Sequence, residues 1–168
     1  CFVKPNCGGS SIGTSRVNAA EDLPSAIEKA MSVDRQIIIE EFIQGTEVTC
    51  GVIQWLGKTT ALPITEIVSQ KEFFDFEAKY HGHSEEITPA RIDANLYEHV
   101  QANSEAIYEY LECRGMIRVD YILRGNDIFV IEVNTTPGFS EASIIPQQAA
   151  VQGIDKKSLI SAVISSCF

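Results

Sequence analysis

Two strand-like segments near the end of the chain place the strongest constraint on its fold. Residues 116–123 and 128–134 are rich in branched and aromatic residues, with polar residues two apart at 118 and 120 and at 132 and 134, and only a short polar segment separates them. This pattern predicts an antiparallel β-hairpin. If the turn comprises residues 125–127, Arg124 faces Ile128, and alternate side chains share a face of the sheet. The polar side chains predicted on one face are then Arg118, Asp120, Glu132 and Asn134.

The register of this hairpin decides what its polar face can bind. A three-residue turn pairs Arg118 with Asn134 and Asp120 with Glu132, whereas a two-residue turn would put the two carboxylates on opposite faces. Carboxylate and carboxamide oxygens suit Mg²⁺ or Mn²⁺ rather than zinc, and Mg²⁺ readily shares substrate phosphates. The alternative interpretation is a solvated sheet face that carries an arginine–carboxylate pair.

A glycine- and serine-rich loop follows the first residues of the chain. Lys4 lies at the end of a predicted strand, and residues 5–17 contain three glycines and three serines. Backbone N–H groups in such a loop can converge on an anion, and Lys4 could reach a phosphate. The segment lacks the Walker GK[ST] ending and the Gly-x-Gly-x-x-Gly pattern of a Rossmann turn. The alternative is a surface linker.

An acidic segment, residues 40–47, lies where one predicted strand ends and the next begins. A strand edge offers backbone groups to a purine ring. Phe42 and Ile43 could wall that ring, and Glu47 could accept hydrogen bonds from ribose hydroxyls. The alternative is an acidic strand end followed by a turn.

A long segment with little periodicity, residues 71–91, mixes aromatic and charged residues. Long loops of this kind are commonly functional or mobile. Lys79 and Tyr80 are predicted to belong to a lid that closes over phosphate and excludes water. The alternative is a mobile loop whose aromatic side chains pack on the body of the protein. His81 and His83 are interpreted as exposed loop histidines.

The rest of the pattern mixes antiparallel strands with helices and predicts an α+β protein. Asp22 can cap the first helix, in which Pro24 suits the first turn. The predicted helices are residues 22–31, 93–112, 145–152 and 155–166. The other predicted strands are residues 1–4, 36–42, 47–55, 59–62 and 64–69.

Composition excludes several classes of function. The net charge is −10, and an acidic field of this size disfavours general binding of nucleic acid or an anionic membrane surface. No apolar stretch approaches the length of about 20 residues that spans a bilayer, and the first residues do not form a signal peptide. The five cysteines include no CxxC pair, which indicates reduced thiols in a cytoplasmic protein.

Taken together, these motifs resemble the ATP-grasp ligases, and most closely the D-alanine–D-alanine ligases. The matching segments are KPNCGGSSIG, EEFIQGTE, FFDFEAKY, EITPA, RGMIRVDYIL and EVNTTPGFSEASIIP. The resemblance implies an ATP-grasp fold with mixed or antiparallel sheets, in which two α+β subdomains enclose ATP. Residues 1–44 would be the later part of the central subdomain, and residues 45–168 the C-terminal one. The abrupt start and the resemblance predict a fragment that lacks an N-terminal domain.

The activity that the resemblance implies is ATP-dependent ligation of two D-alanine molecules through an acyl phosphate. The product would serve peptidoglycan synthesis in a bacterial cytoplasm. ATP and D-alanine would be substrates, two Mg²⁺ or Mn²⁺ ions would assist, and the whole protein would be a homodimer. The fragment alone is expected to be inactive. The open alternatives are a D-alanine–D-lactate ligase, another ATP-grasp carboxylate–amine ligase, or a non-catalytic ATP-binding module; Tyr80 favours D-alanine over D-lactate.

Matching positions imply a role for each site residue. The implied metal ligands are Asp120, Glu132 and Asn134. The implied ATP-binding residues are Lys4, Glu40, Glu41, Phe42, Ile43, Glu47, Phe74 and Lys79. The implied catalytic groups are Arg118, the N–H of Gly138, Ser10 and Tyr80. The implied binding groups for the second D-alanine are Ser143, Ile144 and Gly138.

Overall fold

The structure, a computed structural model, describes residues 1–69 and 84–167 of the 168-residue chain. The predictions for Phe74, Lys79, Tyr80, His81 and His83 therefore lie outside the described residues. The chain divides into two compact units, of which the first contains Cys1–Gln44 and the second contains Gly45–Val68 and Glu85–Phe168. Both units combine antiparallel strands with helices, so the predicted α+β class is confirmed.

The first unit is a small sheet with one helix packed on it. Its strands lie in the order β2–β1–β3, all antiparallel. Its elements are β1 (Phe2–Pro5), β2 (Ser15–Arg16), α1 (Leu23–Met31) and β3 (Ile37–Glu40). The core of this unit is formed by Val3, Val17, Ala26 and Ala30.

The start of α1 differs from the prediction in one respect. Pro24 lies in the first turn as expected, but the Asp22 side chain makes no capping hydrogen bond. Asp22 belongs to a 3₁₀ turn, Ala20–Asp22, and has helical backbone angles of φ −83° and ψ −14°. A capping side chain normally requires an extended backbone at that position, which this turn does not provide.

The second unit is a larger sheet with strands in the order β7–β6–β4–β8–β9, and β5 pairs with β4 beside this path. Its strands are β4 (Thr46–Trp55), β5 (Lys58–Ala61), β6 (Thr65–Ser69), β7 (Ser84–Ile87), β8 (Met116–Arg124) and β9 (Asp127–Asn134). Its helices are α2 (Ala94–Tyr110), α3 (Ile144–Val151) and α4 (Lys156–Ser165).

Strand β7 corrects the prediction of a continuous loop over residues 71–91. The sequence Ser-Glu-Glu-Ile carries almost no hydrophobic signal, and four residues are too few to establish alternation. The strand lies at the edge of the sheet, where exposed charged side chains are common because they discourage pairing with another chain.

The two faces of the larger sheet have different coverings. Val48, Val119 and Tyr121 lie on the face that packs against α2. On the opposite face, Ile53 packs against α3 and α4. Farther along β4 and β8 that second face becomes polar, because Thr49, Arg118 and Asp120 occupy it. We call this polar part the site face.

Tyr121 provides a test of the packing between β8 and α2. Its side chain is fully buried, and its hydroxyl lies 2.7 Å from the Ser104 hydroxyl, which donates to the Val100 carbonyl. Replacing Tyr121 with phenylalanine should lower the free energy of unfolding by about 1 kcal/mol, the usual value of one buried hydrogen bond. Urea unfolding at 25 °C measures the change. The matched control, Tyr110→Phe, should show no change because Tyr110 is 87% exposed; equal effects of the two substitutions would contradict this account.

None of the helices in residues 1–69 and 84–167 is long and apolar enough to cross a membrane.

Candidate functional site

The hairpin of β8 and β9 turns in two residues rather than the predicted three. Arg124 pairs with Asp127, and Ile128 pairs with Leu123 instead of Arg124. Gly125 has a φ of 60°, which suits the first central position of a two-residue hairpin turn. The predicted turn length and the predicted pairing of Arg124 are therefore wrong.

A β-bulge restores the register that the shorter turn would otherwise have changed. Tyr121 pairs with Val130, but the residue before it on β8, Asp120, pairs with Glu132, so Ile131 is an extra residue. A bulge of this kind inserts one unpaired residue and bends the strand. The pairs beyond it are the predicted ones, Asp120 with Glu132 and Arg118 with Asn134. The pairing on which the prediction depends is confirmed.

Asp120 is the centre of the site face. Its Oδ1 accepts hydrogen bonds from Arg118 Nε at 2.8 Å and Thr49 Oγ1 at 2.5 Å. Its Oδ2 accepts from Arg118 Nη2 at 2.8 Å and Asn134 Nδ2 at 2.9 Å. Four donors match the four lone-pair directions of a carboxylate, so its orientation is fixed from three strands.

Arg118 is held in its charged form by acidic neighbours. Burial lowers the pKa of Arg118, but the hydrogen bonds and charge of Asp120, with the charges of Glu132 and Glu86, raise it above its ordinary value. A bidentate pair between arginine and a carboxylate also fixes the plane of the guanidinium group. Arg118 therefore presents an oriented cation at the site face.

Glu86 is a site-face residue for which the sequence predicts no role. Burial raises its carboxyl pKa, while the charge of Arg118 and a hydrogen bond with Gln147 lower it, and the net shift is upward. Glu86 therefore adds a further carboxylate near Arg118. Its strand, β7, is too short and polar to reveal a face in the sequence.

The predicted metal ligands include an amide as well as carboxylates. No group of three or more His, Cys, Asp or Glu side chains that could hold a metal ion occurs in the described parts of the chain. The predicted set contains two carboxylates, Asp120 and the exposed Glu132, and the amide of Asn134. These all-oxygen donors fit Mg²⁺ or Mn²⁺ and do not fit zinc.

Glu47 lies on β4 and extends the same face. It pairs with Ile122 of β8 and Ile67 of β6. Glu47 and Thr49 are two residues apart, so their side chains point to the same side of the sheet. The predicted ribose-binding carboxylate and the predicted metal ligands therefore belong to one face of the second unit.

The loop before α3 brings two predicted substrate-binding residues together. A Cβ atom at Gly138 would lie 2.9 Å from Ser143 Oγ, so the Gly138 backbone closely approaches that hydroxyl. Ser143 Oγ accepts from the Ser140 N–H at 2.9 Å and makes no capping hydrogen bond to α3. The Ser143 hydroxyl therefore bonds within the loop, and Ile144 is the first residue of the helix.

Within the first unit, two predicted ATP-binding residues form an ion pair. Lys4 Nζ lies 2.7 Å from Glu40 Oε2, and their side chains are 26% and 42% exposed. Lys4 lies on β1 and Glu40 on the adjacent β3. A pair this exposed contributes little to stability. Its main effect is to hold the lysine ammonium at a defined place on the sheet.

Phe42 lies in a small aromatic and cationic cluster. Its ring packs edge-on against Phe2, with ring centroids 5.8 Å apart, and the Arg16 guanidinium lies 4.2 Å from its centroid. The neighbouring predicted residues differ in exposure, because Glu41 is exposed and Ile43 is partly buried. The Phe42 ring is thus held in place by its neighbours.

The glycine- and serine-rich loop is anchored by Asp34. That carboxylate accepts hydrogen bonds from the backbone N–H groups of Cys7 at 2.7 Å and Gln36 at 3.1 Å, which lowers its pKa. Ser10 and Ser11 adopt left-handed φ values of 53° and 58°. Asp34 cannot be recognised from the sequence, because a single aspartate 27 residues from its partner carries no local signal.

A family model described as "D-ala D-ala ligase C-terminus" matches residues 1–165. The chain belongs to this family. It is 47% identical over 169 residues to the D-alanine–D-alanine ligase of Phocaeicola vulgatus; the match covers 100% of this chain and 52% of that protein. The chain therefore spans about half the length of the curated relatives that it matches.

Solved structures show the same fold. A D-alanine–D-alanine ligase from Bacillus anthracis complexed with ATP matches with a TM-score of 0.77 and 32% identity, covering 98% of this chain and 49% of that one. The VanG D-Ala:D-Ser ligase from Enterococcus faecalis matches with a TM-score of 0.84 and 34% identity, covering 98% and 48%. The fold of the chain is the ATP-grasp fold of these ligases, as the sequence predicts.

Proposed function

We propose that this chain is the ATP- and metal-binding part of a D-alanine–D-alanine ligase. The enzyme would join two D-alanine molecules through an acyl phosphate and so supply peptidoglycan synthesis. One observation carries the proposal: the β-bulge pairs Asp120 with Glu132 and Arg118 with Asn134 on one face. Membership of the ligase family supports it. The part of the relatives that this chain does not match is proposed to complete the first amino-acid site.

The proposed metal ligands are Asp120, Glu132 and Asn134, which would hold two Mg²⁺ or Mn²⁺ ions. Bound ions would neutralise the triphosphate, because phosphoryl transfer depends mainly on positioning and charge. Asn134 directs Nδ2 at Asp120, and a half-turn of its amide would present Oδ1 within the same side-chain envelope. Glu132 is exposed and so accessible to an ion.

Lys4 and Phe42 are proposed nucleotide-binding residues of the first unit. Lys4 would bind the triphosphate, and its ion pair with Glu40 would keep its ammonium on the sheet. The fixed ring of Phe42 would contact the adenine. The other proposed contacts are Glu40, Glu41, Ile43 and Glu47, with Phe74 and Lys79 outside the described residues. ATP in the Bacillus anthracis complex supports nucleotide binding by this fold.

The remaining residues of the proposed site act on the amino-acid substrates. Arg118 and the Gly138 N–H would stabilise the oxyanion, and loss of one such donor typically costs a factor of 10²–10³ in rate. Ser143 and the Ile144 N–H would bind the carboxylate of the second amino acid; the close approach of Gly138 to Ser143 supports this pairing. Ser10 and Tyr80 would help to close the site.

A second candidate concerns the acceptor amino acid. The VanG relative from Enterococcus faecalis is named a D-Ala:D-Ser ligase, so the fold also serves an enzyme with another acceptor. The same donor set would bind the carboxylate of either amino acid. We propose D-alanine because the curated relatives carry that name, and we place D-serine second.

The chain alone provides the first test. It should bind ATP in calorimetry when Mg²⁺ is present and bind it much more weakly in EDTA. It should release little phosphate when D-alanine is added, because the first amino-acid site would be incomplete. Robust D-alanine-dependent phosphate release by the chain alone would contradict that part of the proposal.

A fusion provides the complementary test of activity. The chain would be joined to the N-terminal half of the Phocaeicola vulgatus relative and assayed with D-alanine, D-serine or D-lactate as acceptor. We expect D-Ala–D-Ala as the main product. Arg118→Lys in the fusion tests the role of this arginine, since lysine keeps the charge but loses the bidentate geometry. We expect its rate to fall about 10²-fold. A fusion that binds ATP but joins no pair of substrates would indicate a non-catalytic module.

A further inference from the structure

We propose that Thr49 is a positioning residue for metal binding, because its hydroxyl orients the Asp120 carboxylate and buried Gln148 holds the Thr49 backbone. This inference rests on the proposed function, since it takes Asp120 as a metal ligand. It concerns two residues to which neither the sequence motifs nor the family resemblance assigns a role.

The contact between Thr49 and Asp120 is short and partly buried. The two residues are direct partners across β4 and β8, and Thr49 is 2% exposed. Thr49 Oγ1 lies 2.5 Å from Asp120 Oδ1 and 3.4 Å from the Val119 carbonyl oxygen. The shorter distance is typical of a hydroxyl that donates to a carboxylate. The hydroxyl proton of Thr49 is therefore assigned to Asp120.

Thr49 is distinguished from the other donors to Asp120 by its single task. Arg118 and Asn134 also donate to this carboxylate, but both are proposed to contact substrate or metal. Thr49 is held in the middle of a strand and has no such second role. Its hydroxyl can therefore hold Oδ1 while the other donors reorganise around an ion.

Gln148 fixes the part of β4 from which Thr49 projects. Its side chain is fully buried, and its Nε2 donates to the Thr49 carbonyl oxygen and to Thr65 Oγ1, each at 3.0 Å. Its Oε1 accepts from the Gly51 N–H at 3.0 Å. Both N–H groups of this amide donate, and its oxygen accepts, so the contact is a specific clamp on β4.

The clamp lies where the strand that neighbours β4 changes from β6 to β5 along its length. Strand β6 pairs with β4 as far as Thr49, and β5 pairs with it from Val52 onward. The Gln148 amide supplies the missing hydrogen bonds between these two ladders. A Cβ atom at Gly51 would lie 2.6 Å from Gln148 Oε1, so a larger residue at this position would displace the amide.

Hydrogen bonds thus run from α3 through Thr49 to Asp120. Gln148 lies on α3, and this helix begins directly after Ser143, the proposed carboxylate-binding residue. The same contacts therefore tie the metal side of the site to the side of the second amino acid. Partners that orient metal ligands typically change metal affinity 10- to 100-fold when they are removed.

The experiment measures Mn²⁺ affinity of the chain at saturating ATP by electron paramagnetic resonance. Thr49→Val keeps the shape but removes the hydroxyl, and its Mn²⁺ affinity should fall 10- to 100-fold. Thr49→Ser restores the hydroxyl and should stay within about 3-fold of wild type. Thr60→Val is the matched control, because the Thr60 hydroxyl bonds only to the exposed Lys58 carbonyl in the described structure. Thr49→Ala is used if the valine variant does not fold.

Urea unfolding of every variant separates positioning from a purely structural role. A Thr49→Val variant that unfolds more easily yet keeps wild-type Mn²⁺ affinity would overturn the inference. Equal losses in Thr49→Val and Thr49→Ser would also overturn it, because the hydroxyl would then be irrelevant. Gln148→Met, which keeps side-chain length without the amide, should lower Mn²⁺ affinity in the same direction as Thr49→Val.

Asp120→Asn distinguishes this inference from the proposed function on which it rests. If Asp120→Asn lowers Mn²⁺ affinity and Thr49→Val does not, the metal site stands and the role of Thr49 is wrong. If wild type binds no Mn²⁺ with ATP, or Asp120→Asn changes nothing, Asp120 is not a metal ligand and both proposals are wrong.

Discussion

Replacing Asp120 with asparagine and Glu132 with glutamine is expected to abolish the Mg²⁺-dependent part of nucleotide binding. The two carboxylates face each other across β8 and β9, so the double substitution removes both anionic oxygen donors from one pair. Hard divalent cations depend on such donors. The loss should exceed about 100-fold, because removing mere partners of metal ligands already costs 10- to 100-fold. Calorimetry with ATP in Mg²⁺ and in EDTA measures the difference.

A control with the same change of charge isolates the site. Asp127→Asn with Glu109→Gln also removes two negative charges, but Asp127 lies at the hairpin tip and Glu109 lies on the exposed side of α2. This variant should bind MgATP like wild type. Unchanged affinity in the Asp120 and Glu132 variant, with its fold intact by circular dichroism, would remove the hairpin from the nucleotide site.

The largest expected loss of stability comes from Gly45→Ala. A Cβ atom at Gly45 would overlap the Leu123 carbonyl oxygen and lie 2.8 Å from Ile122 Cγ2. A backbone carbonyl cannot move aside unless β4 and β8 separate where Thr46 pairs with Leu123. The free energy of unfolding should fall by about 3 kcal/mol or more. Thermal unfolding should show a decrease in Tm of at least about 6–12 °C.

Gly9→Ala is the control for this substitution, because a Cβ atom at Gly9 would meet nothing within 4 Å. Its Tm should equal that of wild type or rise slightly, since alanine restricts the unfolded chain more than glycine does. A Gly45→Ala variant that matches Gly9→Ala would mean that the close approach to Leu123 is absent in solution.

The sequence predicts the faces of β8 correctly because strand alternation is a local property. Residues Arg118 and Asp120 share one side regardless of how the hairpin turns. The pairing of Asp120 with Glu132 is also predicted, but through two differences that compensate: a shorter turn and an extra Ile131. A bulge depends on how the strand packs, and the residue type at this position does not predict it.

Other parts of the site depend on contacts between distant segments. Gln148 meets Thr49 across 99 residues, and Asp34 meets Cys7 across 27 residues. Neither glutamine nor aspartate at those positions forms a motif, so the sequence cannot assign them a task. Glu86 is also not predicted, because its strand is too short for the sequence to show which face of the sheet its side chain occupies. The roles proposed for Phe74, Lys79 and Tyr80 stay predictions.

Because of the bulge at Ile131, the pairing of the site residues does not depend on the length of the hairpin turn. A two-residue turn with one bulged residue gives the same pairing of Asp120 and Glu132 as a three-residue turn without a bulge. Inserting one residue at the tip is therefore expected to straighten β9 and leave the facing carboxylates in place.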